Sequence, residues 1–183
     1  MNDPGLLARN IDAAFATFDL DADGFLTSDD LMALGALACQ QLRITGSPQA
    51  AAILDSHASW WEQLRTDCDA DGDGRISRAE FAKAMISGGG DPQAYYHQQL
   101  ANLQSLIAQA LDADGDGFIE QAEYLAAFDG TPVPDRQAAL ATFERLDADQ
   151  DGRISREEYT TAAAQFFLSN DPADPGTSFA GQS

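Results

Sequence analysis

The residues best placed to do chemistry in this sequence are aspartates set at every second position. Four twelve-residue segments begin at Asp19, Asp69, Asp112 and Asp147 and read DLDADGFLTSDD, DADGDGRISRAE, DADGDGFIEQAE and DADQDGRISREE. Each has Asp at its first, third and fifth positions, Gly at its sixth and a carboxylate at its twelfth. Such a segment gathers hard oxygen donors on one short stretch of backbone, and Ca²⁺ takes six to eight of them at about 2.3–2.6 Å. In the third loop Asp112, Asp114 and Asp116 would supply side-chain oxygens, Phe118 its carbonyl, Glu120 a carboxylate directly or through water, and Glu123 two oxygens at once. The same roles fall on Asp69, Asp71, Asp73, Arg75, Ser77 and Glu80, and on Asp147, Asp149, Asp151, Arg153, Ser155 and Glu158. In the first loop they fall on Asp19, Asp21, Asp23, Phe25, Thr27 and Asp30. The sixth-position glycine permits a left-handed turn that any Cβ would penalise.

These loops need rigid elements on either side, and the apolar residues supply them at helical spacing. Ile11, Phe15 and Phe18 lead into the first loop and Leu31 and Leu34 lead out; Leu64 and Cys68 precede the second, with Phe81 and Met85 after. Leu103, Ile107 and Leu111 precede the third, and Leu140, Phe143 and Leu146 the fourth. The first residue after every loop is large and apolar: Leu31, Phe81, Tyr124 and Tyr159. Leu26, Ile76, Ile119 and Ile154, at the eighth loop position, suit a short strand pairing between neighbouring loops. The prediction is an all-α fold: four helix-loop-helix units in two pairs, compact, with short two-stranded β pairing between the loops of each pair. Breaks at Gly46-Ser47-Pro48 and Thr131–Pro134 separate hand from hand. The strongest break, 88–92, divides an N-terminal pair (1–87) from a C-terminal pair (93–168), followed by a tail (169–183). Loop starts lie 50 residues apart in the first pair and 35 in the last, which predicts longer helices in the N-terminal half.

Composition agrees with a cation as the ligand. The chain has 30 Asp+Glu against 10 Lys+Arg, a formal charge of −20, and 44% hydrophobic residues, so it is acidic yet able to form a core. Nineteen of the acidic residues lie inside the four loops, so the charge is largely a consequence of the sites. Such a field repels phosphate backbones and anionic headgroups, which argues against nucleic acid and membranes as partners. Cys39 and Cys68 have neither CxxC spacing nor clustered histidines to complete a zinc set. Reduced core thiols are the favoured reading, with a disulfide between them as the alternative. Residues 1–10 lack a basic flank and an apolar run, and a cytoplasmic monomer is expected.

The loops match the EF-hand pattern D-x-[DN]-x-[DN]-G-x₅-E in three copies, with Asp30 replacing the final Glu in the first. That side chain is one methylene shorter, which hinders bidentate closure and predicts a loop that is weaker for Ca²⁺ or accepts Mg²⁺ more readily than the others; three to four Ca²⁺ ions are expected overall. Across nearly its whole length the sequence resembles the calerythrin and sarcoplasmic calcium-binding protein family. The resemblance rests on the four loops and on the close of the chain, Phe166, Phe167, Ser169–Pro172, Pro175, Gly176 and Phe179, which looks like actinobacterial relatives. It implies a compact, helical calcium buffer. Members commonly carry degenerate loops, whereas all four are complete here.

Other residue types bear on buffer against sensor. Calcium sensors build an adaptable groove from methionine, and this chain has three methionines, one of them Met1, against ten phenylalanines. A buffer or transporter is favoured over a sensor that binds a target protein; such a target is possible but not indicated. Phe166, Phe167 and Phe179 either fold back over a cleft or belong to a frayed tail. His57 and His97 are expected at surface or partly packed positions, and no catalytic set is evident, so the chain is not read as an enzyme. Trp61 is expected in the core, with Trp60 at its edge or at a domain contact.

Overall fold

A computed structural model describes residues 4–87, 100–127 and 136–168. Helix α1 (Pro4–Phe18), strand β1 (Phe25–Leu26) and α2 (Ser28–Gln41) form the first hand; α3 (Pro48–Cys68), β2 (Ile76–Ser77) and α4 (Arg78–Ser87) form the second. The third comprises α5 (Ala101–Leu111), β3 (Phe118–Glu120) and α6 (Gln121–Ala126), and the fourth α7 (Arg136–Leu146), β4 (Arg153–Ser155) and α8 (Arg156–Leu168). The long-helix expectation is met in α3, whose 21 residues span about 32 Å at the usual helical rise. The linker at 88–92, the break at 131–134, His97 and the tail lie outside the described residues, as do the side chains of Phe166 and Phe167.

Local chemistry sets the helix starts. Thr27 is the N-cap of α2, and its hydroxyl accepts the Asp30 N–H while the Asp30 carboxylate accepts the Thr27 N–H, a reciprocal capping box. The last carboxylate of the first loop is thus also the third residue of the helix that leaves it. Between α2 and α3 the chain turns through Arg43 and Gly46, both at positive φ. Ser47 then caps α3 by accepting the Ala50 N–H at 3.1 Å, with Pro48 in the first helical turn.

The strands pair as the eighth-position apolar residues predict. β1 and β2 are antiparallel with Leu26 opposite Ile76, and β3 and β4 are antiparallel with Ile119 opposite Ile154. All four of these side chains are buried, so each short sheet turns one face inward and ties two loops to one core.

Two apolar clusters result. One gathers Phe15, Phe18, Leu31, Ile53, Leu64 and Phe81 of the first two hands, and it also contains Leu100, Leu103 and Ala163 from the C-terminal half. The other holds Leu111, Tyr124, Phe143, Leu146 and Tyr159. Helix α3 lies against α2, α4 and α5, so it is enclosed on several sides rather than on one stripe. That enclosure corrects two expectations. Trp60 is as deeply buried as Trp61, at 4% exposure, with its ring edge-on to Phe18 at 4.9 Å. His57 is buried too: its Nδ1 donates to the Ile53 carbonyl at 2.8 Å, and its ring lies edge-on to Trp60. Gly35 of α2 lets the two helices approach this closely, because a Cβ there would come within 2.9 Å of the imidazole. Cys39 and Cys68 are free buried thiols, and burial pushes Cys68 up to about 12, which leaves it protonated and unreactive.

Candidate metal centres

One hydrogen-bond pattern shapes all four loops. The first aspartate spans the turn: Asp19 accepts the N–H of Asp23 on Oδ1 and that of Gly24 on Oδ2, each at 3.1 Å. Asp112 accepts Gly115 and Asp116 on Oδ1 and Gly117 on Oδ2, and Asp147 accepts Asp151 and Gly152 in the same manner. In the second loop Asp69 takes Gly72 and Gly74. The third-position aspartates Asp21, Asp71, Asp114 and Asp149 each accept the N–H two residues on, as short polar side chains in turns do. So do Asp23, Asp73, Asp116 and Asp151 at the fifth position.

The twelfth carboxylate closes each loop from the helix side. Glu80, Glu123 and Glu158 accept the second-position N–H of Ala70, Ala113 and Ala148 on Oε1, and the ninth-position N–H of Ser77, Glu120 and Ser155 on Oε2. Asp30 makes the same two contacts despite its shorter side chain, to Leu20 N–H at 3.2 Å and Thr27 N–H at 2.9 Å. It is drawn deeper in consequence, and Asp19 and Asp30 are both buried. The hydroxyls of Thr27, Ser77 and Ser155 donate to the twelfth carboxylate at 2.7–2.8 Å.

Convergence follows from these turns. Single carboxylate oxygens lie within 4.8 Å of one another in Asp19, Asp21 and Asp30, in Asp69, Asp71 and Asp73, in Asp112, Asp114 and Glu123, and in Asp147, Asp149 and Glu158. In the third loop Asp114, Asp116 and Glu120 form a further such group. Asp23, Glu80 and Asp151 stand outside these groups; Glu80 is held by Ser77 and Ala70, and Asp151 by Arg153. The seventh-position residues Phe25, Phe118 and Arg153 start the strands, and Arg75 immediately precedes β2.

The electrostatics are those of crowded anions with donors shared out among them. The Ser77 hydroxyl and N–H hold Glu80 below the ordinary carboxylate range. Burial pushes Glu158 up, but the N–H and hydroxyl of Ser155 and the N–H groups of Asp149 and Ala148 outweigh it, and the net shift is downward. Glu120 is pushed up by burial and by its neighbours Glu123, Asp114 and Asp116. Donor groups made of carboxylates, with no thiol or imidazole in any of them, fit a hard divalent cation rather than a transition metal.

Two features go beyond the sequence reading. The fourth loop position is also left-handed, at Ala22 (φ 57°), Gly72, Gly115 and Gln150 (φ 61°); the signal lay in the first glycine of DADGDG, present in only two loops. Seventh-position side chains also meet across each pair, with Arg75 over the Phe25 ring and Arg153 over the Phe118 ring.

Comparison with known proteins agrees with this geometry. The EF-hand domain pair family matches residues 9–86 and 109–164. Among solved structures, a calcium-binding protein from Streptomyces coelicolor, described in terms of prokaryotic calcium-mediated regulation, is 28% identical with a TM-score of 0.69, over 88% of this chain and 97% of that one. A sarcoplasmic calcium-binding protein from amphioxus covers both chains fully at 16% identity and a TM-score of 0.71. Calcium-loaded apo-aequorin from Aequorea victoria is 16% identical with a TM-score of 0.70, over 92% of this chain and 94% of that one. The last two likenesses speak to the fold alone. No curated protein matches the sequence significantly. With four loops of one geometry, joined in pairs by short strands and matched over most of the chain, this protein belongs to the EF-hand calcium-binding family and is similar to its calerythrin-like and sarcoplasmic members.

Proposed function

We propose that the protein buffers or transports Ca²⁺, taking up three to four ions, with Mg²⁺ competing best at the first loop. The ligands are the residues that the loop pattern singles out: Asp19, Asp21, Asp23, Phe25, Thr27 and Asp30 in loop 1, and their counterparts through Glu80, Glu123 and Glu158 in the others. The short, buried Asp30, held by the N–H groups of Leu20 and Thr27, supports the different ion preference of the first loop. Bound calcium would neutralise the clustered carboxylates, while the chain's own residues pre-turn them toward one another.

One observation carries buffering over sensing. The apolar faces of the first two hands are covered by the chain itself, since Leu100, Leu103 and Ala163 pack into the same cluster as Phe15, Phe18 and Trp60. A sensor needs such a face free when calcium arrives. A cytoplasmic monomer without catalytic activity fits the free thiols and the commitment of the carboxylates to the loops. No described helix is long and apolar enough to cross a membrane.

The test combines an apolar-surface dye with a pull-down from cell extract, each with and without Ca²⁺. The buffer reading expects dye fluorescence to fall on calcium addition and no protein to be captured. A calcium-dependent rise together with a captured protein would establish the sensor instead.

A further inference from the structure

The two loops of each pair differ at the seventh position in a repeated way. Loops 1 and 3 carry Phe25 and Phe118, and loops 2 and 4 carry Arg75 and Arg153. The strand registers set Phe25 opposite Ser77 and Phe118 opposite Ser155. The arginine therefore lies two residues along the partner chain segment, on the same face as the ring and within reach of a long side chain. The Arg75 guanidinium carbon is 4.1 Å from the Phe25 ring centroid, and that of Arg153 is 3.9 Å from Phe118. Both are within cation–π range.

Each of these guanidiniums also holds a loop carboxylate. Arg75 Nη2 lies 3.1 Å from Asp73 Oδ2, and Arg153 Nη2 lies 3.3 Å from Asp151 Oδ2. The second oxygen of each carboxylate, Oδ1, accepts the backbone N–H of that same arginine at 2.8 and 2.9 Å. Asp73 and Asp151 are thus gripped at both oxygens by one residue, and that residue rests on a ring from the other loop. In loops 1 and 3 the seventh residue offers Asp23 and Asp116 only its N–H, because phenylalanine has no side-chain donor.

We propose that Arg75 and Arg153 are positioning residues that couple the two ion sites of each pair, relaying the state of one loop to the fifth-position carboxylate of the other. The inference rests on reading the loops as ion sites. An ion in loop 1 fixes the backbone around Phe25, whose carbonyl is one of the proposed donors, and with it the ring. A fixed ring gives the planar guanidinium a fixed seat, and Asp73 then loses less freedom when loop 2 fills. Affinity rises because part of the ordering has already occurred, and by linkage the effect is reciprocal. Planarity is essential, since an ammonium could pair with Asp73 but could not lie flat on the ring while doing so.

Calcium titration followed at the loop glycine amides tests this. Gly24 and Gly74 each donate to the first aspartate of their own loop, so their resonances report loops 1 and 2 separately. Phe25→Leu, which changes no residue of loop 2, is expected to weaken loop-2 affinity about threefold when Arg75 is present and to leave it unchanged in an Arg75→Gln background. Phe25→Tyr, which keeps a ring, should retain the native affinity. Phe118→Leu and Arg153→Gln repeat the cycle independently in the other pair, with circular dichroism at saturating calcium confirming that each variant is folded. An equal effect of Phe25→Leu in both backgrounds, or none in either, overturns the coupling while the sites stand. A native chain that takes up no calcium in loops 1 and 2 overturns the site assignment and the coupling with it.

Discussion

A single methylene separates Asp30 from the glutamates at the same loop position, and its effect is geometric. The shorter carboxylate reaches the same N–H groups from a buried position, deeper than the glutamates of the other loops. Mg²⁺ binds at about 2.0–2.1 Å in near-ideal octahedra, and a shorter closing carboxylate is expected to suit it better than Ca²⁺. Asp30→Glu should therefore raise the Ca²⁺/Mg²⁺ affinity ratio of loop 1 alone, measured by calcium titration with and without millimolar Mg²⁺. An unchanged ratio would refute the role given to chain length. At the fourth position Ala22 is held at φ 57°, where a Cβ costs roughly 1–2 kcal/mol. Glycine removes that cost but loses about 0.4–1 kcal/mol through its freer unfolded chain. Ala22→Gly is expected to stabilise the protein by a net of roughly 0.5 kcal/mol in denaturant unfolding; destabilisation would show that Ala22 makes a contact worth more than the backbone strain.

Among the elements, the short strands carry more than their length suggests. Ile154 is fully buried opposite Ile119, so it joins two loops and the second apolar cluster at once. Ile154→Ala should cost about 2–5 kcal/mol as a cavity and weaken calcium binding in loops 3 and 4 together. Isothermal titration would resolve this; a loss confined to loop 4 would mean the sheet transmits nothing. The contact between α2 and α3 has a pH dependence of its own. Burial lowers the His57 pKa against an ordinary value of 6.5, while its bond to Ile53 offsets part of the shift. A histidine kept neutral by the fold binds its proton more readily when unfolded, so its contribution is complete above about pH 6.5 and is lost as pH falls toward the folded value. Unfolding of calcium-saturated protein should show a decline below pH 6.5 of at most about 1.4 kcal/mol per pH unit. His57→Phe should flatten that decline whatever it does to stability at pH 8. An identical slope in the variant would assign the acid sensitivity to other groups.

For the whole molecule, ion loading and folding are expected to be coupled. Clustered carboxylates repel until a cation neutralises them, and a ligand that binds only the folded state stabilises it by about 4 kcal/mol per site at a thousandfold excess over Kd. Chelator should lower the melting temperature markedly, followed by circular dichroism; an unchanged melt would separate binding from folding. Because Leu100, Leu103 and Ala163 share a cluster with the first two hands, ion loss in one half should loosen packing in the other.

Much of this was legible in the sequence, because loop chemistry is local. The spacing of Asp19, Asp21, Asp23 and Gly24 dictates a turn whatever surrounds it, and the eighth-position residues announce strands through their place in the repeat. Helices, loops and the Leu26–Ile76 and Ile119–Ile154 pairings follow from contacts within or between adjacent repeats. Burial of Trp60 and His57 was not legible, since a helix read alone offers one apolar stripe and only packing reveals that α3 is enclosed by α2, α4 and α5. Nor was the seat of Arg75 on Phe25, which joins residues 50 positions apart. Oxygen donors were set by local sequence; which faces are buried and which loops touch were decided by long-range packing, the part of the free energy that no short window contains.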